Sequence, residues 1–443
     1  MLKKIKLCLI LIVAHLLALA IKLRGKSSGT SFVGMILLKL SPNYLRDASK
    51  YVKNYITVTG TNGKTTTAGI LTHILKGNYK TLSNSKGANM LTGIANAFAL
   101  SSIPFKEYDY AVLEADEAYL SRIYNYITAD YLVVTNLFRD QLDRYGELST
   151  TAAKIQQAID KNKSLQLILN ADDPLVVGFN ANGDKAPIYY GFEKISYASG
   201  VSVQTNTPME MILCPNCGKN LEYDKIFYAQ QGHYYCECGY KRPNTKYPAS
   251  VVIYDTYSEI SINVNGESRL YRVPLIGLYN AYNALGAIVA SLEIGVENIQ
   301  QTLGTFKTEF GRGDVHVVNG KTAIIQLIKN PTGAGEVLKT INKDSNIMIA
   351  LNDNYGDGRD VSWLWDTDFE ILKDCKQTVV ASGLRAQDMA VRLKYAGIPN
   401  IKVIPNIDEA LKFVINDKST DKVTILPSYT AMLEINQSKE IKG

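Results

Sequence analysis

Histidine is scarce in this chain, with His15, His73, His233 and His316 the only four among 443 residues. A cysteine nucleophile with a histidine base therefore has little to draw on. Cysteines are equally few outside one cluster, since only Cys8 and Cys375 stand apart from the four between Cys214 and Cys238. That clustering argues against a disulfide framework and for a metal site in a reducing compartment. Dense Lys/Arg stripes with interleaved aromatics are absent, and the net charge of +6 is spread along the chain, which argues against nucleic-acid binding. No long low-complexity tract interrupts a composition of 46% hydrophobic and 20% charged residues, which is that of a globular protein.

The N-terminal apolar run, Leu7 to Ile21, is interrupted by His15 and is shorter than the ~20 residues a spanning helix needs. Lys3, Lys4 and Lys6 precede it and Lys22, Arg24 and Lys26 follow, with no small-x-small cleavage site. Residues 1–45 are therefore expected to form an apolar or amphipathic segment that touches the inner face of a membrane or packs on the protein, in a cytoplasmic chain.

A chain of this length holds two or three cored domains. From residue 54 onward apolar strands alternate with helices. Strands are expected at Asn54–Thr59, Tyr110–Leu113, Tyr131–Thr135 and Leu165–Leu169, with helices at Thr65–Leu75 and Thr151–Lys161. Such alternation implies a parallel α/β sheet with its chemistry at the carboxyl ends of the strands. Residues 205–247 break the pattern and read as an inserted module, after which an Ala-rich helix, Leu278–Leu292, restores it. A second α/β block is expected over residues 313–443, giving a central unit at 46–312 and a C-terminal one.

Within the inserted module, Cys214-Pro-Asn-Cys217-Gly and Cys236-Glu-Cys238-Gly offer two tight turns with two thiolates each. That is the pattern of a four-cysteine zinc ribbon, with His233 as a reserve ligand, and four thiolates leave no open position for catalysis. The other strong motif is Thr59-Gly60-Thr61-Asn62-Gly63-Lys64-Thr65-Thr66-Thr67, placed where an apolar strand hands over to a helix. Glycines admit phosphates close to the backbone, and helix N-terminal amides favour the anion. Lys64 adds a point charge, and the Thr65 hydroxyl suits Mg²⁺.

This shortened loop, Gly-Thr-Asn-Gly-Lys-Thr, resembles that of the Mur ligase and folylpolyglutamate synthetase superfamily. Further segments agree in order, so the resemblance covers roughly residues 50 to 443. Glu114 in Leu-Glu-Ala-Asp-Glu is similar to the family's magnesium-binding glutamate. The stretch Thr135-Asn136 to Tyr145-Gly146 resembles a segment whose histidine helps hold a second magnesium, but Gln141 stands there. Lys154 matches a position that many Mur ligases carry as a carbamylated lysine. Asn170-Ala-Asp172-Asp173-Pro174 resembles a family hallmark whose expected role is a structural turn. Asn283 matches an asparagine near adenine, and Arg312 lies in the Gly-Arg segment that joins the central and C-terminal units. The resemblance implies ATP and Mg²⁺ as cofactors, with Gly60 to Thr66, Asn283 and Arg312 as the nucleotide site.

The zinc ribbon, Lys329-Asn330-Pro331, and the acidic loop Asp353-Asn-Tyr-Gly-Asp357-Gly-Arg-Asp360 narrow the resemblance to the synthetase subunits of lipid II isoglutaminyl synthases. Only about fifty residues precede the phosphate loop, too few for the uridine-diphosphate-binding domain of other Mur ligases. That branch implies amidation of the D-glutamate α-carboxylate of a lipid-linked stem peptide through an acyl phosphate. It also implies ammonia from a separate GatD-type glutaminase subunit, whose Cys–His pair Asp360 would complete, with Asp353 and Asp357 as alternatives. The rival enzymatic reading is a stand-alone Mur or folylpolyglutamate-type ligase that adds an amino acid.

Overall fold

In the computed structural model of the chain, residues 2–23, 31–84, 89–101, 106–138, 148–180, 183, 185–198, 213–254, 256–308 and 312–442 are described. Two helices come first, α1 (Leu2–Leu23) and α2 (Phe32–Leu40). Six parallel strands then form the first sheet: β1 (Val52–Thr59), β2 (Thr81–Ser83), β3 (Tyr108–Glu114), β4 (Tyr131–Val134), β5 (Gln166–Asn170) and β6 (Ile188–Tyr190). Their order is β2-β3-β1-β4-β5-β6, so the chain crosses from one side of β1 to the other between β3 and β4. Ligands bind outside the carboxyl ends of strands at such a crossing.

Both faces of this sheet are covered, which is why its strands read as continuous apolar runs. Ile56 and Val58 of β1 pack into one core with Ile70, Leu71 and Ile74 from the helix Lys64–Lys76 and with the helix Leu278–Ile294. Tyr55 joins the opposite core, which also takes Leu37 of α2 and Ile94 and Phe98 from the helix Leu91–Ser101. The apolar N-terminal run thus packs on the protein along one side.

The sheet β12-β11-β10-β7 was not anticipated. It comprises β7 (Phe192–Tyr197), β10 (Ala249–Ile253), β11 (Ser258–Val264) and β12 (Glu267–Val273). Alternate residues of β11, among them Ile260 and Ile262, are buried in the core that holds the helix Leu278–Ile294. The intervening hairpin, β8 (Glu222–Tyr228) and β9 (Gln231–Tyr235), belongs to the inserted module.

The C-terminal sheet runs β13-β14-β18-β15-β16-β17. Its strands are β13 (Arg312–Val318), β14 (Lys321–Gln326), β15 (Asn346–Ala350), β16 (Val379–Ser382), β17 (Ile401–Val403) and β18 (Lys422–Pro427). Only the β13–β14 pair is antiparallel. Apolar clusters lie on both faces, one around Phe369 and Leu393, the other around Leu411 and Ile435.

Candidate active site

One cavity of about 380 Å³ lies between the phosphate loop and the C-terminal sheet. Thr61, Asn62, Gly63, Lys64, Thr65 and Thr66 form one wall, with Glu114 and Asp116 from the end of β3 and Asn136 from the end of β4. Lys329, Thr332, Glu336 and Asp357 come from the C-terminal side. Carboxyl ends of three adjacent strands therefore converge here, as the sheet crossing requires.

The loop is held by polar contacts that only a glycine backbone permits. Gly60 has φ +125°, and a Cβ there would lie 2.3 Å from Thr135 Oγ1 and 2.8 Å from Asn136 O. Gly63 has φ +81°, and its Cβ would meet Asn283 Oδ1 at 1.9 Å. Any side chain at either position must displace a neighbour and adopt a disfavoured backbone angle. Thr135 Oγ1 donates to Asn62 O at 2.7 Å, and Asn62 N donates to Asn136 Oδ1 at 2.8 Å. Thr61 Oγ1 donates to Phe138 O at 3.0 Å.

Lys64 is buried. Its Nζ donates to Gly60 O, to Thr61 O at 3.1 Å and to Glu117 Oε1 at 3.1 Å. Burial pushes the Glu117 carboxyl above its usual range, against the pull of the Lys64 ammonium. Two buried charges persist only when each is compensated, and this pair compensates itself. Glu117 lies inside the segment quoted around Glu114, yet its role was missed. The sequence offered two further acids there, Asp116 and Glu117, with nothing to rank them.

Glu114 is fixed by Asn84. The Asn84 side chain donates to Glu114 O at 2.8 Å and accepts from Glu114 N at 2.9 Å. Asn89 Nδ2 reaches Glu114 Oε1 at 3.3 Å, whereas the buried Oε2 has no hydrogen-bond partner among the described residues. An unpartnered carboxylate oxygen at the edge of a phosphate cavity fits a hard divalent cation, with Thr65 lining the same wall.

The C-terminal block reaches this loop directly. Asn330 Nδ2 donates to Asn62 Oδ1 at 2.9 Å, Asn62 Nδ2 donates to Asn330 Oδ1 at 3.3 Å, and Lys329 Nζ lies 3.4 Å from Thr61 O. Asn330 Oδ1 also accepts from Gly333 N at 2.8 Å, capping the helix Pro331–Lys339. A second cation thus stands at the phosphate loop from across the cavity. No local pattern ties residue 329 to residue 61, so sequence reasoning gave Lys329 no role here.

The remaining expected residues fall as follows. Asn283 lines the cavity beside Gly63 and donates to Asn280 Oδ1 at 3.2 Å. Arg312 pairs through its backbone with Gln326, a lining residue, although its side chain lies outside the described residues, as does all of Gln141. Lys154 is half-buried on the helix Leu148–Ile159 and does not line the cavity. Of the three acidic-loop carboxylates, Asp357 is buried, accepts from Thr430 N at 2.7 Å and from Thr430 Oγ1, and serves the turn. Asp353 pairs with Arg385 at 3.0 Å. Asp360 is half-exposed, accepts from Ser362 N at 2.8 Å, and lies outside the cavity lining.

The four sulfurs of Cys214, Cys217, Cys236 and Cys238 lie within 4.8 Å of one another. Cys214 and Cys238 are 3.7 Å apart, and Cys217 and Cys236 are 3.6 Å apart. A tetrahedron with metal–sulfur bonds of ~2.3 Å has edges of about 3.8 Å, so the set fits a zinc-ribbon-like site. Asn216 Nδ2 and the Tyr240 amide draw the Cys238 thiol down to about 6. His233 is not a reserve ligand: its Nε2 lies 2.8 Å from Phe192 O and its ring packs edge-on against Phe227.

Tyrosines dock this module on the first sheet. Tyr234 OH donates to Ala171 O at 3.1 Å and Tyr240 OH to Pro174 O at 2.5 Å. Asp172 is the hub, accepting from Arg242 Nε at 2.6 Å, Tyr282 OH at 2.7 Å and Phe192 N at 2.9 Å. Tyr228, at the end of β8, carries the contact into the cavity lining. The Asn170–Pro174 segment therefore acts as a structural turn with a docking function.

Known proteins share this architecture. The family model for the Mur ligase middle domain matches residues 58–234, and that for the MurT ligase C-terminal region matches residues 327–432. A lipid II isoglutaminyl synthase (glutamine-hydrolyzing) subunit MurT from Staphylococcus aureus (strain COL) is 37% identical over 426 residues, 93% of this chain and 94% of that one. Its counterpart from Streptococcus pneumoniae (strain ATCC BAA-255 / R6) is 37% identical over 422 residues, covering 92% of each chain. Among solved structures, a pseudomurein peptide ligase type C from Methanothermus fervidus superposes with a TM-score of 0.69 at 23% identity, over 87% of this chain and 79% of that one, a likeness of fold.

Proposed function

The chain belongs to the MurT family of the Mur ligases, which are ATP-dependent ligases, and on that premise we propose that it amidates the D-glutamate α-carboxylate of a lipid II stem peptide to D-isoglutamine. The observation that carries this reading is the convergence of the phosphate loop, the unpartnered oxygen of Glu114 and the cation of Lys329 on one cavity.

The chemistry needs an activated carboxylate, because an oxide is a poor leaving group for an amine. Transfer of the terminal phosphoryl group of ATP to the carboxylate oxygen leaves ADP and an acyl phosphate. Ammonia then adds to the acyl carbon and inorganic phosphate departs. The loop amides and Lys64 hold the phosphates, and Lys329 neutralises charge that spreads over the transferring group. Thr65 and Glu114 would hold Mg²⁺, which supplies charge neutralisation when bound. The Asn62–Asn330 pair ties the loop to the C-terminal wall, so that carboxylate and phosphate are oriented by one rigid frame.

The ammonia donor in this reading is a separate glutamine amidotransferase subunit of GatD type. In this reading Asp360, half-exposed and outside the cavity lining, is the carboxylate that would complete the partner's Cys–His pair, with Asp353 and Asp357 as the alternatives. Zn²⁺ is the ion suited to the four thiolates, where it would fix the ribbon against the ATP-binding unit. Residues 46–312 form that unit in this account, residues 205–247 its insertion, and residues 313–443 the C-terminal unit. The enzyme would work at the cytoplasmic face of the membrane, where a lipid-linked substrate is presented.

The test is to purify the chain with its native partner and supply ATP, lipid II and amide-labelled glutamine. The account expects labelled nitrogen in the stem peptide, at the α-carboxyl of D-glutamate, with loss on removal of either ATP or the partner. Incorporation of an amino acid without a partner would instead support a stand-alone ligase.

A further inference from the structure

The N-terminal helix α1 is apolar on two opposite sides, and only one of them is covered by the described residues. Leu7, Leu11 and Ala14 are buried in the core shared with Val33 and Leu37 of α2. Ile5, Leu9, Ile12, Val13, Leu16 and Leu19 are exposed, Leu9 by 59% and Leu16 by 62%. At ~100° per residue these six project within roughly a third of the helix circumference, opposite the buried three. Helix α2, packed against α1, exposes Phe32, Met35 and Leu40 in addition. A contiguous apolar face of this kind marks an interaction surface.

Charge selects the occupant. Lys3, Lys4 and Lys6 precede the apolar run, Lys22, Arg24 and Lys26 follow it, and no Asp or Glu occurs before Asp47. An apolar stripe bracketed in sequence by cations complements the boundary between anionic headgroups and acyl chains. No described helix is long and apolar enough to cross a membrane, and the exposed apolar stripe runs along α1 from Ile5 to Leu19, as in a helix that lies in the plane of the interface. The attachment to the active site is rigid. A Cβ on Gly34 of α2 would lie 1.8 Å from Thr92 O in the helix Leu91–Ser101, so the two helices touch backbone to backbone. Asn89 and Met90, just before that helix, line the cavity. The exposed face and the cavity are thus joined through one helix of about 16 Å, at ~1.5 Å per residue.

We infer that α1, supported by α2, docks the enzyme in the plane of an anionic phospholipid surface and holds the cavity beside a substrate anchored in that surface. The inference deepens the lipid-linked substrate reading above and rests on it for its purpose.

Vesicle co-sedimentation of the full chain tests it, with equimolar phosphatidylcholine and phosphatidylglycerol against phosphatidylcholine alone. Binding is expected to the anionic vesicles, to weaken as salt is raised, and to fall roughly tenfold or more in the Leu9→Gln/Leu16→Gln double variant. Both leucines are exposed, so an unchanged thermal melt will show that the variant is folded. Wild-type protein that stays in the supernatant with anionic vesicles, or a double variant that binds as wild type does, would overturn the inference. So would a chain that self-associates through α1, seen in sedimentation velocity as a dimer dissolved by the double variant without vesicle binding. Amidation of detergent-solubilised substrate by the wild-type chain with its native partner separates the two readings: wild-type protein that amidates but binds no vesicles refutes the docking alone, and wild-type protein that does not amidate refutes the proposed reaction.

Discussion

Substituting Asn330 should damage the enzyme in two separable ways, because its side chain does two jobs. Its amide exchanges hydrogen bonds of 2.9 and 3.3 Å with Asn62 in the phosphate loop. Its Oδ1 also caps the helix Pro331–Lys339 through Gly333 N at 2.8 Å. A net hydrogen bond is worth about 0.5–1.5 kcal/mol, so the inter-unit pair contributes roughly 1–3 kcal/mol. The cap adds about 1 kcal/mol to stability. Asn62→Ala removes the pair alone, Asn330→Ala removes pair and cap, and Asn330→Ser keeps a capping oxygen but is too short to reach Asn62. Urea denaturation should therefore rank Asn330→Ala as less stable than Asn330→Ser by about 1 kcal/mol. In kcat/KM for ATP, Asn62→Ala and Asn330→Ala should each lower activity, and the double variant should fall little further. The expected coupling is about 1–2 kcal/mol, a factor of roughly 5 to 30. Single effects that add within ~0.5 kcal/mol would refute the link between the loop and the C-terminal wall.

Asp172→Asn should leave the buried Arg242 guanidinium with the half-exposed Glu193 as its remaining carboxylate partner and cost up to about 3 kcal/mol, read as a lowered Tm with easier metal release from the ribbon. Glu336 is buried, and burial raises its carboxyl above the ordinary value of 4.5 although Lys339 opposes the shift. The folded state thus holds this proton more tightly than the unfolded chain. Its contribution is full below pH 4.5 and is lost as pH rises through the raised folded value. Thermal melts should therefore show wild type losing ground to Glu336→Gln as pH climbs from 4.5, and a constant gap between them would contradict the assignment. Asp360→Asn should lower glutamine-driven amidation by about 10³–10⁴-fold, the scale seen when a triad carboxylate is lost, while leaving ammonium-driven amidation intact. Equal loss with both donors would remove Asp360 from the partner's site.

What could be read in the sequence was what local pattern encodes. The apolar run Asn54–Thr59, the loop Gly60–Thr66 and the helix after it are contiguous, and the strand, turn and helix stand within a residue or two of expectation. The two Cys-x₁₋₂-Cys turns likewise carry their geometry in their spacing. The antiparallel sheet β10–β12 was legible but unread, since Ile260, Ile262 and Val264 alternate with the polar Glu259, Ser261 and Asn263 at period two. Other features lie beyond local pattern. Glu117 owes its role to a lysine across the loop, and Lys329 to a carbonyl 268 residues away in sequence. His233 had a plausible spacing for zinc, but β9 turns it toward Phe192. Of the chain's 28 tyrosines, Tyr234 and Tyr240 find a use in docking the ribbon.

The central claim is that the loop from Gly60 to Thr66 delivers a phosphoryl group to a carboxylate oxygen of the substrate. Turnover of substrate whose D-glutamate α-carboxyl carries heavy oxygen measures this directly. One labelled oxygen should appear in inorganic phosphate for each amide formed, and Lys64→Ala should abolish both. Amide formation with no label in phosphate would contradict the account.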